Sequence, residues 1–120
     1  MTSEATGNQP KHWRDRVVEQ RGETPGNVEV QLFKEPDPSN TLFIKVRLHS
    51  FNKRGLVAEA RVNDQGDLGR TRQMIMATAG ELAEHLNREY ADQHDMVEIA
   101  KASLELFDAI MSELQQSTRH

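Results

Sequence analysis

Residues 41–51, Thr-Leu-Phe-Ile-Lys-Val-Arg-Leu-His-Ser-Phe, alternate strictly between two kinds of side chain. Leu42, Ile44, Val46 and Leu48 form an aliphatic row, while Phe43, Lys45, Arg47, His49 and Phe51 form a basic row bounded by aromatics. Side chains repeat every two residues on a strand and every 3.6 on a helix, so this segment is compatible only with a strand that packs one face and exposes the other. The rest of the fold has to supply a layer for the aliphatic row.

Two further segments alternate in the same sense. Residues 27–34 place Val28, Val30 and Leu32 on one side and Glu29, Gln31 and Phe33 on the other; residues 56–63 place Ala58, Ala60 and Val62 opposite Val57, Glu59 and Arg61. The prolines of Glu35-Pro-Asp-Pro-Ser-Asn40 interrupt any ladder between the first two strands. Between the second and third, Gly55 suits the left-handed position of a short hairpin loop. A three-residue loop sets Phe51 opposite Val57, His49 opposite Glu59 and Arg47 opposite Arg61. That last pairing of like charges is relieved if a shift brings Arg47 to Glu59 instead.

The layer over the sheet is expected from two helices, 70–90 and 95–115. In the first, Ile75, Ala79, Leu82 and Leu86 recur at spacings of four, three and four, and Gly80 weakens the middle unless it permits a close helix approach. The second carries two stripes, one of Met96, Ala100, Leu104, Phe107, Met111 and Leu114 and one of Ile99, Ala102, Leu106 and Ile110. One stripe can cover the sheet; the second, Ile99, Ala102, Leu106 and Ile110, has to meet the preceding helix or another molecule, and a homodimer interface is the expectation. Upstream, residues 1–9 read as a disordered leader. Pro10 and Gly22 frame a short helix over 10–21, carrying Trp13 and Val17 on one face, followed by a loop. The expected architecture is α+β: an N-terminal helix, a three-stranded antiparallel meander and two C-terminal helices on one face of the sheet, in one domain spanning 10–117.

At 120 residues a single core is the expectation, and with aromatics at 5% it is mainly aliphatic. The absence of cysteine excludes disulfides, thiolate metal sites and cysteine nucleophiles. No apolar run approaches the length of a membrane span, and the first residues have neither the basic start nor the apolar stretch of a secretory signal, so no membrane and a cytoplasmic location are expected. Charge is unevenly spread. Residues 27–63 hold six basic against four acidic side chains, whereas 64–120 hold five against eleven.

The order short helix, three-stranded meander, helix resembles that of double-stranded RNA-binding domains. Those domains begin their final helix with a lysine-rich stretch. Here Arg70-Thr-Arg-Gln-Met-Ile-Met76 has two arginines and a further long helix follows, so no family membership is read from the sequence.

Motifs for chemistry are sparse. The glycines form neither a phosphate loop nor a dinucleotide fingerprint, no serine sits in a nucleophile elbow, and no cofactor is indicated. Glu81, Glu84, His85, Glu89, Asp92, His94 and Asp95 cluster around the interhelical turn. They lack the spacing of His-Glu-x-x-His or of di-iron bundles, so no metal or catalytic residue is assigned, and an enzyme or metal site built from residues 81–95 is the second alternative. The remaining candidate is a partner-binding face of Phe33, Phe43, Lys45, Arg47, His49, Phe51 and Arg61 with the turn residues Lys53 and Arg54. Aromatics that stack on bases beside cations that meet phosphates allow nucleic-acid binding as the first alternative. A protein partner needs no such specialisation and is the leading expectation: a non-enzymatic interaction module acting as an adaptor, inhibitor or regulator.

Overall fold

The computed structural model describes residues 19–24, 27–36, 41–52 and 55–117. Strands β1 (Glu19–Thr24), β2 (Val28–Lys34), β3 (Leu42–His49) and β4 (Val57–Asn63) are followed by helices α1 (Leu68–Tyr90) and α2 (Met96–Ser117). The strands form one antiparallel sheet in the order β1-β2-β3-β4. The helices lie side by side on one face, α1 over β4 and β3, α2 over β1 and β2. This is an α+β fold with an antiparallel sheet and two C-terminal helices. Among the described residues no helix is long and apolar enough to cross a membrane.

The alternating rows fall as their periodicity requires. Val28, Val30, Leu32, Leu42, Ile44, Val46, Leu48 and Val62 are buried under the helices, where they meet Ile75, Ala79, Ala83 and Leu86 of α1 and Ile99, Leu106, Phe107, Ile110, Met111 and Leu114 of α2. Each fully buried aliphatic side chain contributes about 1.5–3 kcal/mol relative to exposure, so this one layer dominates stability.

Two expectations change. Residues 19–21, expected as the end of a helix, and residues 22–24, expected as loop, are instead the strand β1, so the sheet has four strands rather than three. The remaining residues of the expected helix, 10–18, lie outside the described residues, as do the leader 1–9 and Lys53 and Arg54. The segment Glu-Gln-Arg-Gly-Glu-Thr has no apolar residue to announce a strand. It is held by pairing with β2 and by Gly22, where an added Cβ would stand 3.2 Å from Leu106 Cδ2 and 3.9 Å from Ile110. The fourth strand also changes the role of the second α2 stripe. Ile99, Leu106 and Ile110 are buried in the monomer's own core with Ala102 packed against it, so this stripe is occupied by β1 and the adjoining layer rather than left for a second copy.

Gly80 does not mark a close approach. A Cβ built there meets nothing within 4 Å. Gly80→Ala should therefore raise stability by about 0.5–1 kcal/mol, read as a higher midpoint in thermal or urea unfolding. Gly22 behaves in the opposite way. Alanine is accommodated by a small movement of the Leu106 side chain, whereas Gly22→Val should cost about 1–3 kcal/mol in the same assay by forcing α2 from the sheet.

Candidate functional site

The outward face of the sheet carries the expected partner-binding residues, and the strand register decides what they can do. Arg47 stands opposite Glu59, Lys45 opposite Arg61 and His49 opposite Val57. This is two residues away from the pairing of Arg47 with Arg61; it sets Lys45 against Arg61 instead, and what it gains is Arg47 beside a carboxylate. Arg47 Nε donates to Glu59 Oε1 at 3.0 Å, and its Nη1 reaches Glu29 Oε1 on β2 at 3.4 Å. Glu29 is only 3% exposed although it points outward, and it also accepts from Arg21 Nη1 at 3.3 Å. A carboxylate so covered stays charged cheaply only between such partners. Lys45 Nζ lies 3.9 Å from Glu59 Oε2, and Arg61 Nη1 lies 3.8 Å from Glu35 Oε2, which separates these two like charges across the strands.

The aromatics are tied into the same lattice. Phe33 and Phe43 stack at 5.3 Å between centroids with a tilt of 42°. Lys45 Nζ sits 5.1 Å from the Phe33 centroid and Arg61 Cζ 4.0 Å from that of Phe43. Such cation–π contacts contribute about 0.5–1 kcal/mol at exposed sites. Phe43 and Gln31 are buried and Phe33 half-buried, so exposure on this face rises from the middle towards both edges, where Glu19, Arg21 and Glu23 of β1 and Val57, Glu59 and Arg61 of β4 are open. At the turn end, Glu23, Glu29, His49 and Ser50 line a shallow open depression.

Phe51 does not belong to this face. It lies two residues past the end of β3, is 51% exposed, and its ring lies 4.2 Å from that of His94 in the turn between the helices. That contact belongs to a polar joint between two turns which residue types alone did not reveal. Asp92 and His94 have fully buried side chains. The Asn52 backbone N–H donates to Asp92 Oδ1 at 3.0 Å, Asn52 Nδ2 donates to the Ala91 carbonyl at 2.5 Å, and the Ser50 side chain also hydrogen-bonds Asp92. The His94 backbone is locked by Asn87, which accepts from His94 N–H and donates to its carbonyl, both at 2.8 Å. Ala91 itself adopts the left-handed conformation, φ 56°, a strained choice for a residue with a Cβ that these bonds hold in place.

Burial disfavours charge on both groups of the joint, with different outcomes. For Asp92, burial would raise the pKa, but the bonds from Ser50 and the Asn52 N–H, the nearby His94 and the Phe51 N–H outweigh it and hold the carboxyl below its ordinary value. For His94, burial lowers the pKa and the Asp92 carboxylate opposes without reversing it. His94 Nε2 is 3.3 Å from Asp92 Oδ2 but out of line for a hydrogen bond, and neither ring nitrogen has a hydrogen-bond partner.

The other carboxylates and histidines of 81–95 are spread over the surface. Glu84 pairs with Arg88 at 3.7 Å, Arg88 with Glu89 at 3.5 Å, and His85 meets Tyr90 edge-on. Glu81 is exposed. Asp95 caps α2 by accepting from the N–H groups of Val97 and Glu98. Among the described residues no group of three or more His, Cys, Asp or Glu side chains is placed to hold a metal ion.

Comparison with known proteins finds no family model that matches the chain, and no match among curated proteins or solved structures.

The joint predicts a pH dependence of stability. With its folded pKa below the unfolded value of 6.5, His94 binds protons more readily in the unfolded chain, so stability is full above that pH and falls as pH drops from about 6.5 through the folded pKa. Asp92 contributes in the same direction below its unfolded value of 3.8. Unfolding midpoints measured from pH 8 to pH 5 should decline for the wild type. The decline should be shallower in His94→Gln, the difference approaching at most about 1.4 kcal/mol per pH unit for one proton. Parallel profiles would show that His94 is not the titrating group.

Proposed function

We propose that the protein is a non-enzymatic interaction module that binds another protein through the outward face of its sheet, acting as an adaptor, inhibitor or regulator. One observation carries the reading: among the described residues, the arginines and lysine of this face are matched by carboxylates on the same face or at its rim. Arg21, Lys45, Arg47 and Arg61 each lie within 4 Å of Glu29, Glu59 or Glu35. A polyanion would meet a carboxylate beside each of these cations and would gain little from counterion release, which supplies a large share of the affinity of nucleic-acid binders. A protein surface can instead exchange such pairs one for one, with aromatic area and a polar rim, as transient protein interfaces do.

Two measurements test this. Fluorescence anisotropy with labelled single-stranded and duplex DNA and RNA at two salt concentrations should show no saturable binding at micromolar protein. Salt-sensitive micromolar affinity would favour a nucleic-acid face instead. A photoreactive residue at Lys45 or His49, introduced in the native cell, should crosslink a discrete polypeptide, with Glu84 on the outer side of α1 as the silent control. Equal adducts at all three positions would remove the sheet face as the docking surface.

A further inference from the structure

Among the described residues the β4 edge of the sheet is uncovered, and its chemistry points to a second copy of itself. Among the described residues no strand lies beyond β4. Its backbone parity is fixed by the bonds at both ends of the β3–β4 ladder, Ser50 N–H to Leu56 O at 3.0 Å and Asp64 N–H to Leu42 O at 3.5 Å. In an antiparallel ladder the residues that exchange both hydrogen bonds alternate with those that exchange none. With the observed register, Ala58, Ala60 and Val62 therefore bond to β3, and Val57, Glu59, Arg61 and Asn63 turn their N–H and C=O groups to the open side. Among the described residues only the last carbonyl is occupied, by Gln65 Nε2 at 2.8 Å. All four residues are solvent-exposed, and the ladder runs through them without a proline or a bulge, two devices by which edges are commonly blunted.

We infer that β4 pairs antiparallel with β4 of a second copy about a two-fold axis at Ala60, joining the two sheets into one. The parity allows only registers that set odd residues against odd residues, and charge selects among them. A two-fold axis at Glu59 sets two carboxylates face to face, and one at Arg61 sets two guanidinium groups face to face. Registers displaced further leave most of the strand unpaired. The axis at Ala60 puts Glu59 of each copy opposite Arg61 of the other, twice, and Val57 opposite Asn63. On the helix side Ala60 then faces its own counterpart and Ala58 faces Val62, small side chains at positions where the backbones come closest. Glu59 and Arg61 remain able to serve these contacts while holding Arg47 and Glu35. Their side chains are 42% and 59% exposed, a carboxylate accepts several hydrogen bonds, and a guanidinium has five donors. This pairing uses the edge of the sheet and does not depend on the outward face being a partner site.

The test is sedimentation velocity on the full chain from low micromolar to near-millimolar concentration. The wild type should show a reversible monomer–dimer equilibrium. Arg61→Glu creates two facing carboxylate pairs and Glu59→Arg two facing guanidinium pairs. Each variant alone should dimerise more weakly by about tenfold or more, and an equimolar mixture of the two should recover dimer, because only the mixed pair restores unlike charges. Far-UV circular dichroism checks that both variants fold. Hydrogen exchange on the wild type gives an answer independent of any variant: the amides of Glu59 and Arg61 should exchange quickly when dilute and become protected as concentration rises. A wild type that stays monomeric throughout would overturn the proposal. So would a dimer that survives both charge reversals, or one whose loss is not repaired by mixing.

Discussion

Arg47 stands between Glu29 on β2 and Glu59 on β4, and the organisation of the sheet follows from that position. Its bond to Glu59 is made at the register that keeps the aliphatic rows of β3 and β4 together. Its contact with Glu29, shared with Arg21, lets a carboxylate be covered on a face that would otherwise need water. A one-residue slip would turn Val62, Ala60 and Ala58 away from the helices. A two-residue slip would keep the same rows on the core side but exchange the Arg47–Glu59 pairing for Arg47 against Arg61. Hydrophobic burial thus sets the parity, and the Arg47–Glu59 bond is what the observed register of that parity gains.

This division explains what could be read from the chain. Alternation located β2, β3 and β4 to within a residue or two and named their buried rows, because burial of one face leaves a two-residue period in the residues themselves. The helices were legible for the corresponding reason at 3.6 residues. The register was not, since a shift of two leaves every row on its own face and changes only which residues stand opposite one another. Strand β1 left no trace in hydropathy: Glu19–Thr24 owes its conformation to a neighbouring strand and to the space that Gly22 leaves for Leu106. Missing that strand made the sheet one strand too narrow, so Ile99, Leu106 and Ile110 looked surplus. On the outward face, the aromatic and basic residues of β3 were identified by type, but their glutamate partners come from β2, β4 and the segment after β2. The Asp92–His94 joint was hidden for a different reason, because acidic and imidazole side chains in a turn look like solvated ones until a second turn closes over them.

The electrostatic division of the molecule is sharper than the residue counts suggest. The sheet half carries the excess of basic residues, yet its described outward cations Arg21, Lys45, Arg47 and Arg61 are held by carboxylates, while Glu84 and Glu89 share a single arginine and Glu81, Glu98, Glu105 and Glu113 are exposed on the helices. The helical side therefore presents uncompensated negative charge and the sheet side a nearly neutral mosaic. Such a surface disfavours association through the helices and leaves the sheet and its edge as the faces on which contact costs least.

The contact of α2 with β1 joins the last described element of the chain to the first, with Leu106 and Ile110 against Gly22. The strand pairings join neighbours in sequence, as does the packing of α1 on β4 and on α2. A meander and a helical hairpin can each assemble from such short-range contacts, whereas closing α2 on β1 has to confine nearly the whole intervening chain at once. The entropic cost of closure grows with the length of chain confined, so this junction is the topological clasp of the fold, the contact most expensive to make before the others are in place. An apolar helix face that meets a bare glycine backbone suits such a clasp: it needs no directional bond, and it closes wherever the two finished halves arrive in register.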